Sequence, residues 1–154
     1  AVGFSLALAG VRKVLLSDVD AVKADTLARD IRKKTGIDAE AVAVDSLAQA
    51  AAAADCLINA TPLGLKKTDP LPLKKDFIQK RHLVCDLVYN PAETALLKAA
   101  KDRGAKRLPG IGMLLYQGVI AFEIWTGAKA PVPVMKTALS RQIRDRTRLR
   151  EIKR

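Results

Sequence analysis

The chain has 154 residues, a length that suits one globular domain, and hydrophobic residues make up 49% of it. Its apolar runs are shorter than the ~20 residues that a membrane span needs, and no charged-then-apolar signal segment opens it, so we expect a cytoplasmic protein with no membrane partner. The net charge of +11 is compatible with nucleic-acid binding, but no aromatic RNA-binding motif or zinc-ligand spacing accompanies it, which disfavours a nucleic-acid partner.

The basic residues are concentrated in a few places. Residues 141–154 contain seven basic and two acidic side chains, and three further basic pairs are Lys66–Lys67, Lys74–Lys75 and Lys80–Arg81. Such a surface can bind nucleic acid, or it can be a solvated face near an anionic cofactor. We predict a domain over residues 1–140 and a basic C-terminal helix or tail over residues 141–154.

Helical and strand-like patterns alternate in the first part of the chain. The predicted elements are a helix over 1–9, a strand over 13–17, a helix ending at Gly36, a strand over 41–44, an Ala-rich helix and a strand over 56–60. The second helix shows apolar residues at helical spacing (Ala24, Leu27, Ala28 and Ile31). Asp45 and Ser46 are the predicted caps of the Ala-rich helix.

The same alternation continues to the end of the chain. The predicted elements are a loop from 61 to about 76, a strand over 83–89, a helix over 93–103, a strand over 106–108, a helix over 113–126 and a last helix from 132 into the basic tail. Strands separated by helices and short turns imply a single α/β domain with a doubly wound, mostly parallel sheet of the Rossmann type. Cys56 and Cys85 fall within strand-like runs and are predicted to be buried free thiols.

Unusual polar residues and glycines follow the predicted strands. In a parallel sheet of this type the ligand binds in one crevice at the carboxyl ends of the strands. The residues at those ends are Asp18, Asn59 to Thr61, Tyr89, Asn90 and Gly110. We therefore expect these residues to line one crevice.

Asp18 stands where dinucleotide-binding folds place an acidic residue that hydrogen-bonds the adenosine ribose. In those folds it lies ~20 residues after a glycine-rich phosphate loop, so here that loop and its strand are expected before Ala1. The helix over 1–9 then has its N-terminus towards the pyrophosphate. Alternatively, Asp18 is a helix cap or an exposed turn residue.

The residue types alone leave the other positions open. Asn59 and Thr61 can orient a ribose or a carboxamide, or they can be ordinary turn residues. Gly110 and Gly112 can let backbone approach a flat ring, or they can form a tight turn before a helix. Gln117 is either a surface polar residue or a ligand contact.

Four segments resemble the shikimate dehydrogenase family in order and spacing. They are residues 58–64 (Ile-Asn-Ala-Thr-Pro-Leu-Gly), 86–91 (Asp-Leu-Val-Tyr-Asn-Pro), 110–117 (Gly-Ile-Gly-Met-Leu-Leu-Tyr-Gln) and 121–127 (Ala-Phe-Glu-Ile-Trp-Thr-Gly). They look like the family's NATPLG loop, its D-x-x-Y-x-P strand, its G-x-G-M-L-x-x-Q segment and its A-F-x-x-W-T-G helix end. The resemblance covers about residues 1–140 and leaves out the basic tail.

This resemblance implies an oxidoreductase that transfers a hydride between a nicotinamide dinucleotide and shikimate/3-dehydroshikimate or quinate/3-dehydroquinate. The family's catalytic Lys and Asp belong to an N-terminal domain that this chain lacks, so no residue here is assigned a catalytic or metal-binding role, and the chain alone is expected to be inactive. The ring-acid substrate is expected to bind through that missing domain. The alternative is a non-catalytic module that binds nucleotides or nucleic acid through its basic surface.

The resemblance also assigns residues to the two ligands. The positions matched to the substrate side are Tyr89 and Gln117. The positions matched to the nicotinamide and its ribose are Leu87, Gly110, Asn59 and Thr61.

The cofactor preference is expected to depend on Asp18 and Val19. In family members that use NADP, the residues after the second strand resemble Asn-Arg-Thr, and the Arg binds the 2′-phosphate. This chain has Asp18-Val19-Asp20 at the same place. A carboxylate accepts hydrogen bonds from ribose hydroxyls but repels a phosphate. We therefore expect NAD to be preferred, with NADP possible because Lys23 lies one turn into the next helix.

Overall fold

A computed structural model of the chain describes the backbone of residues 1–152 and the side chains of residues 1–143. Residues 153–154 of the predicted basic tail lie outside the described residues. The chain divides into two compact units, Ala1–Asp55 and Cys56–Arg154.

The first unit alternates helices with two parallel strands. Its elements are α1 (Val2–Leu8), β1 (Lys13–Leu16), α2 (Ala21–Thr35), β2 (Asp38–Ala41), a short 3₁₀ turn (Val44–Ser46) and α3 (Leu47–Ala53). Strands β1 and β2 pair in parallel, with Lys13 opposite Asp38. The ammonium of Lys13 lies 3.3 Å from the carboxylate of Asp38 and 2.6 Å from that of Glu40. Opposite charges across the strand pair therefore favour this register.

Helix α2 ends at the glycine that its sequence predicts and begins after Asp20. The side chain of Asp20 accepts a hydrogen bond from the backbone N–H of Lys23 at 3.2 Å, which is an N-cap. Gly36 ends the helix in the left-handed conformation, with φ of 73°. Three of the four predicted apolar residues, Ala24, Ala28 and Ile31, are buried, and Leu27 packs against the same core.

Two predictions for the first unit are wrong. The strand expected over 41–44 lies at 38–41, because pairing with β1 starts at Lys13 and ends where Leu16 faces Ala41. Ser46 precedes α3 without a side-chain cap hydrogen bond. Its backbone, with φ of −96° and ψ of 7°, continues the 3₁₀ turn and lacks the extended conformation of a capping residue.

Over its described residues, 56–152, the second unit contains three parallel strands and three α-helices. The elements are β3 (Cys56–Asn59), a short 3₁₀ turn (Lys75–Phe77), β4 (Leu83–Asp86), α4 (Ala95–Asp102), β5 (Lys106–Pro109), α5 (Ile111–Thr126) and α6 (Val132–Ile152). The strand order is β3-β4-β5, and Asp86 lies opposite both Asn59 and Pro109. The carboxyl ends of the three strands are therefore level.

The core of this sheet is small and apolar. Ile78, Val84, Leu96 and Ala100 are fully or almost fully buried and pack together. Helices α5 and α6 pack on each other through a separate cluster that includes Leu115, Val119 and Ala130. No helix among the described residues has both the length and the apolar character that crossing a membrane requires.

The predicted strand over 83–89 is shorter than expected. It ends at Asp86, because the carboxylate of Asp86 accepts the backbone N–H of Val88 at 3.0 Å and turns the chain out of the ladder. Both cysteines are free thiols, as predicted, and Cys85 is buried, but the predicted burial of Cys56 is wrong, since it is exposed at the start of β3. The parallel pairing and the alternation of helices with strands confirm the predicted α/β class.

Candidate functional site

In the first unit, Asp18 and Val19 form the turn between β1 and α2. Asp18 is exposed, and its Oδ1 accepts the backbone N–H of Asp20 at 2.9 Å. The side chain of Val19 is 97% exposed. Asp18 is thus a turn residue with an accessible carboxylate, and the helix cap is Asp20.

Lys23 is the cation next to this turn. Its Nζ lies 3.1 Å from Oδ2 of Asp20, whose Oδ1 also accepts the Lys23 backbone N–H. The side chains of Lys23 and Asp20 are 75% and 41% exposed, so the pair contributes little to stability. It nevertheless places the ammonium beside a carboxylate, and the turn keeps an acidic character.

In the second unit, three buried polar side chains meet at the level ends of β3 and β4. Asn59, Asp86 and Thr94 are each no more than 3% exposed. Nδ2 of Asn59 donates to Oδ1 of Asp86 at 2.9 Å, and the hydroxyl of Thr94 donates to Oδ2 of Asp86 at 2.5 Å. Buried polar groups are stable only when hydrogen-bonded, and here each one satisfies another.

The side-chain amide of Asn59 is fully used within the protein. Its Nδ2 donates to Asp86 and to the carbonyl of Leu63 at 2.9 Å, and its Oδ1 accepts the backbone N–H and the hydroxyl of Thr61 at 3.1 and 2.7 Å. An amide has two donor hydrogens and two acceptor lone pairs, and these four bonds occupy them. Asn59 therefore shapes the loop that follows β3.

Thr61 and Thr94 also bond to backbone groups close to them in sequence. The hydroxyl of Thr61, an exposed residue, accepts the N–H of Leu63 at 3.1 Å. The hydroxyl of Thr94 accepts the N–H of Leu97 at 3.2 Å and so caps helix α4. The network thus extends from the strand ends into the loop on one side and the helix on the other.

Gly110 begins helix α5 in close contact with the segment after β4. A Cβ atom on Gly110 would lie 2.4 Å from the carbonyl oxygen of Leu87 and 2.8 Å from that of Asp86. A Cβ on Gly112 would meet nothing within 4 Å. The requirement for glycine at 110 is therefore steric, since any side chain there would collide with backbone.

The loop after β3 has a second acidic anchor. Oδ2 of Asp69 accepts the backbone N–H of Gly64 at 3.0 Å and that of Lys66 at 2.9 Å. The hydrogen bond from Lys66 is the main reason that the pKa of Asp69 lies below its ordinary value, and the one from Gly64 adds to it. Over the described residues, no group of three or more His, Cys, Asp or Glu side chains could hold a metal ion.

Four of the predicted site residues of the second unit lie around Asp86, and the other two, Tyr89 and Gln117, are exposed. The network around Asp86 brings together Asn59, Thr61, Leu87 and Gly110. Tyr89 follows in the same loop and is 39% exposed. Gln117 is exposed on α5, roughly two turns along the helix from Gly110.

Two residues of this arrangement were not predicted as site residues. Asp86 lies in the apolar run Leu83 to Val88 and Thr94 at the start of α4. A carboxylate inside a buried strand is costly unless it has hydrogen-bonding partners, so the position of Asp86 in this apolar run indicates that such partners exist. Its partners could not be identified, because Asn59 lies 27 residues away in sequence.

The comparisons with known proteins find similarity to shikimate and quinate dehydrogenases. A family model described as the shikimate 5′-dehydrogenase C-terminal domain matches residues 110–139. Shikimate dehydrogenase (NADP(+)) of Desulforamulus reducens is 42% identical over 147 residues, which cover 93% of this chain and 50% of that protein. The chain thus spans about half the length of the curated relatives that it matches.

Solved structures give the same result. Quinate dehydrogenase from Corynebacterium glutamicum in complex with NAD superposes with a TM-score of 0.83 and 35% identity, over 88% of this chain and 49% of that one. Shikimate 5-dehydrogenase from Listeria monocytogenes in complex with shikimate and NAD gives a TM-score of 0.81 and 32% identity, over 90% and 50%. These similarities confirm the predicted Rossmann-type fold class.

Proposed function

We propose that the chain is a member of the shikimate dehydrogenase family, corresponds to its C-terminal part and is the cofactor-binding part of an oxidoreductase; this is supported by its similarity to shikimate and quinate dehydrogenases. The reaction is hydride transfer between a nicotinamide dinucleotide and shikimate/3-dehydroshikimate or quinate/3-dehydroquinate. The observation that carries this proposal is the hydrogen-bonded cluster at the level ends of β3 and β4, because it lies within two of the family-like segments.

In this proposal the chain binds and orients the ligands. Thr61 and Asn59 form the loop beside the nicotinamide ribose, and Leu87 with Gly110 forms the wall beside the nicotinamide ring. The absence of a side chain at 110 lets the backbone of Gly110 lie against the backbone of Leu87 in that wall. Tyr89 and Gln117, both exposed, are the residues that reach the substrate. The groups that move the proton belong to the domain that the family carries before this region.

The proposed domain organisation follows from the same correspondence. In this proposal residues 1–140 belong to the dinucleotide-binding domain, and residues 141–154 are a basic extension. The relatives are about twice as long as the matched region. The proposed partner is therefore the family's N-terminal domain, which supplies most of the ring-acid contacts.

We also propose that NAD is the preferred cofactor and that NADP is accepted less well. The accessible carboxylate of Asp18 suits the ribose hydroxyls, and the neutral Val19 offers no charge to a 2′-phosphate. Lys23, whose exposed ammonium pairs only weakly with Asp20, is the cation through which NADP can still be accepted.

The experiment uses the complete polypeptide that contains this chain. Purified protein is mixed with shikimate or quinate and with NAD⁺ or NADP⁺, and the formation of reduced nicotinamide is followed by absorbance. The proposal expects turnover of at least one ring acid and a higher kcat/KM with NAD⁺. Absence of turnover with both acids and both cofactors would refute the proposed activity, and a higher kcat/KM with NADP⁺ would refute the cofactor preference alone.

A further inference from the structure

Asp86 is the most deeply buried acidic side chain of the candidate site, with no exposed surface. Removing a carboxylate from water is costly unless hydrogen bonds compensate for the lost solvation. Three donors provide this compensation, namely Nδ2 of Asn59 at 2.9 Å, the backbone N–H of Val88 at 3.0 Å and the hydroxyl of Thr94 at 2.5 Å. All three donors are neutral groups, so the carboxylate is held by hydrogen bonds, which depend on direction, and not by an opposite charge.

Each donor belongs to a different segment of the proposed site. Asn59 ends β3 and holds Thr61 by two hydrogen bonds. Val88 lies between Leu87 and Tyr89, the residues proposed to face the cofactor and the substrate. A shift of Asp86 would therefore move both ligand-facing segments together.

The third donor links Asp86 to the helix and to the loop. Thr94 caps α4, and its methyl and Cβ atoms would lie 3.6 Å from a Cβ on Gly64, in the loop after β3. On the other side, the carbonyl of Asp86 is one of the backbone groups that Gly110 approaches. The residue is thus joined to every ligand-facing segment that the second unit contributes before α5.

We propose that Asp86 is a positioning residue, whose buried carboxylate fixes the loop after β3 and the segment 87–89 in the geometry that the hydride transfer needs. This inference rests on the proposed function, since it specifies how that site is held. Asp86 has no surface through which to contact a ligand, so it acts through Thr61, Leu87 and Tyr89. A displacement of about 1 Å at a reacting centre can lower a rate by about 100-fold, which makes such an anchor measurable in catalysis.

Thr94 offers a matched pair of variants for testing this role. Thr94→Val preserves the shape of the side chain but removes the hydroxyl that donates to Asp86 and accepts from Leu97. Thr94→Ser retains the hydroxyl and removes only a methyl group. The difference between the two variants therefore isolates the hydrogen bonds from the packing.

The closing experiment measures kcat and KM for each variant in the complete polypeptide, at a temperature well below its own unfolding midpoint. Thr94→Val is expected to lower kcat by about 10- to 100-fold with a smaller change in KM, and Thr94→Ser is expected to stay within about threefold of the unaltered protein. Asp86→Asn retains the Oδ1 acceptor and is expected to lower kcat as well. It replaces Thr94→Val in the test if that variant is too unstable to purify.

The outcomes separate this inference from the proposed function. Folded Thr94→Val and Asp86→Asn proteins with unchanged kcat would overturn the positioning role and leave the proposed function intact. Equal losses in Thr94→Val and Thr94→Ser would also overturn it, because packing would then explain the effect. An unaltered protein without dehydrogenase activity would overturn the proposed function and the positioning role together.

Discussion

Gly110 and Leu87 are packed so closely that a single added carbon atom would not fit between them. The carbonyl oxygen of Leu87 would lie 2.4 Å from a Cβ on Gly110, well inside van der Waals contact. The N-terminus of α5 therefore lies directly against the segment that leaves β4. Since backbone groups form both sides of this contact, side-chain rotation cannot relieve a clash.

The first prediction concerns this contact. We expect Gly110→Ala to destabilise the protein by about 1–3 kcal/mol, because the new methyl group forces the backbone of Leu87 or α5 to move. Gly112→Ala is the matched control, since the space around it is open and alanine is favoured over glycine in a helix. Denaturant unfolding of both variants measures the difference, and equal stabilities would contradict the prediction.

The second prediction concerns cofactor choice. In the complete polypeptide, Asp18→Ala combined with Val19→Arg is expected to raise the ratio of NADP⁺ to NAD⁺ kcat/KM by about tenfold or more. The change removes a carboxylate and adds a guanidinium that can bind a phosphate by paired hydrogen bonds. Val22→Arg is the control, because Val22 is exposed on α2 and receives the same charge at a different position. A ratio unchanged by the double substitution, or raised equally by the control, would count against the assignment of Asp18 and Val19.

The third prediction concerns the two thiols. Burial raises the pKa of Cys85 above the ordinary 9.0, and Cys56 is exposed. Since the thiolate is the reactive form, iodoacetamide at neutral pH is expected to alkylate Cys56 at least about ten times faster. Mass spectrometry of the timed reaction gives the rates, and Cys56→Ser is expected to remove the fast phase.

The raised pKa of Cys85 also makes the stability of the folded protein depend on pH. The folded protein keeps this proton at a pH where the unfolded chain has begun to lose it. Its contribution to stability is therefore complete below the ordinary pKa and falls as the pH rises above about 9. Faster alkylation of Cys85 than of Cys56 in the folded protein would contradict the described burial.

The fourth prediction concerns the loop after β3. The pKa of Asp69 is lowered by the N–H groups of Lys66 and Gly64, so its contribution is present above the ordinary carboxyl value of 3.8 and is lost as the pH falls through the lower folded value. In hydrogen exchange followed by NMR, Asp69→Asn is expected to reduce the protection of these two amides at neutral pH. Asp76→Asn is the control, and equal protection in both variants would show that Asp69 does not anchor the loop.

Local patterns in the sequence were sufficient for most of the secondary structure. Helix α2 was predicted with its apolar stripe and its closing glycine, because helix periodicity and caps depend on residues a few positions apart. The predicted strand was three residues away from the strand at 38–41, because the prediction followed an apolar run, whereas the strand forms where its backbone pairs with residues 13–16 and buries Ala39.

For the site, the amino-acid order by itself determined the α/β class, the family-like segments and the residues at the strand ends. Only the tertiary structure decided what those residues do. All four hydrogen bonds of the Asn59 side-chain amide are made within the protein, and Asp86 joins segments that are distant in sequence. Glycine is required at 110 because its position meets the backbone of Asp86 and Leu87, which precede it in sequence by a helix and a strand. The physical reason is that hydrogen bonds and close contacts depend on distances in space, and these exist only once parallel pairing has brought the strand ends level.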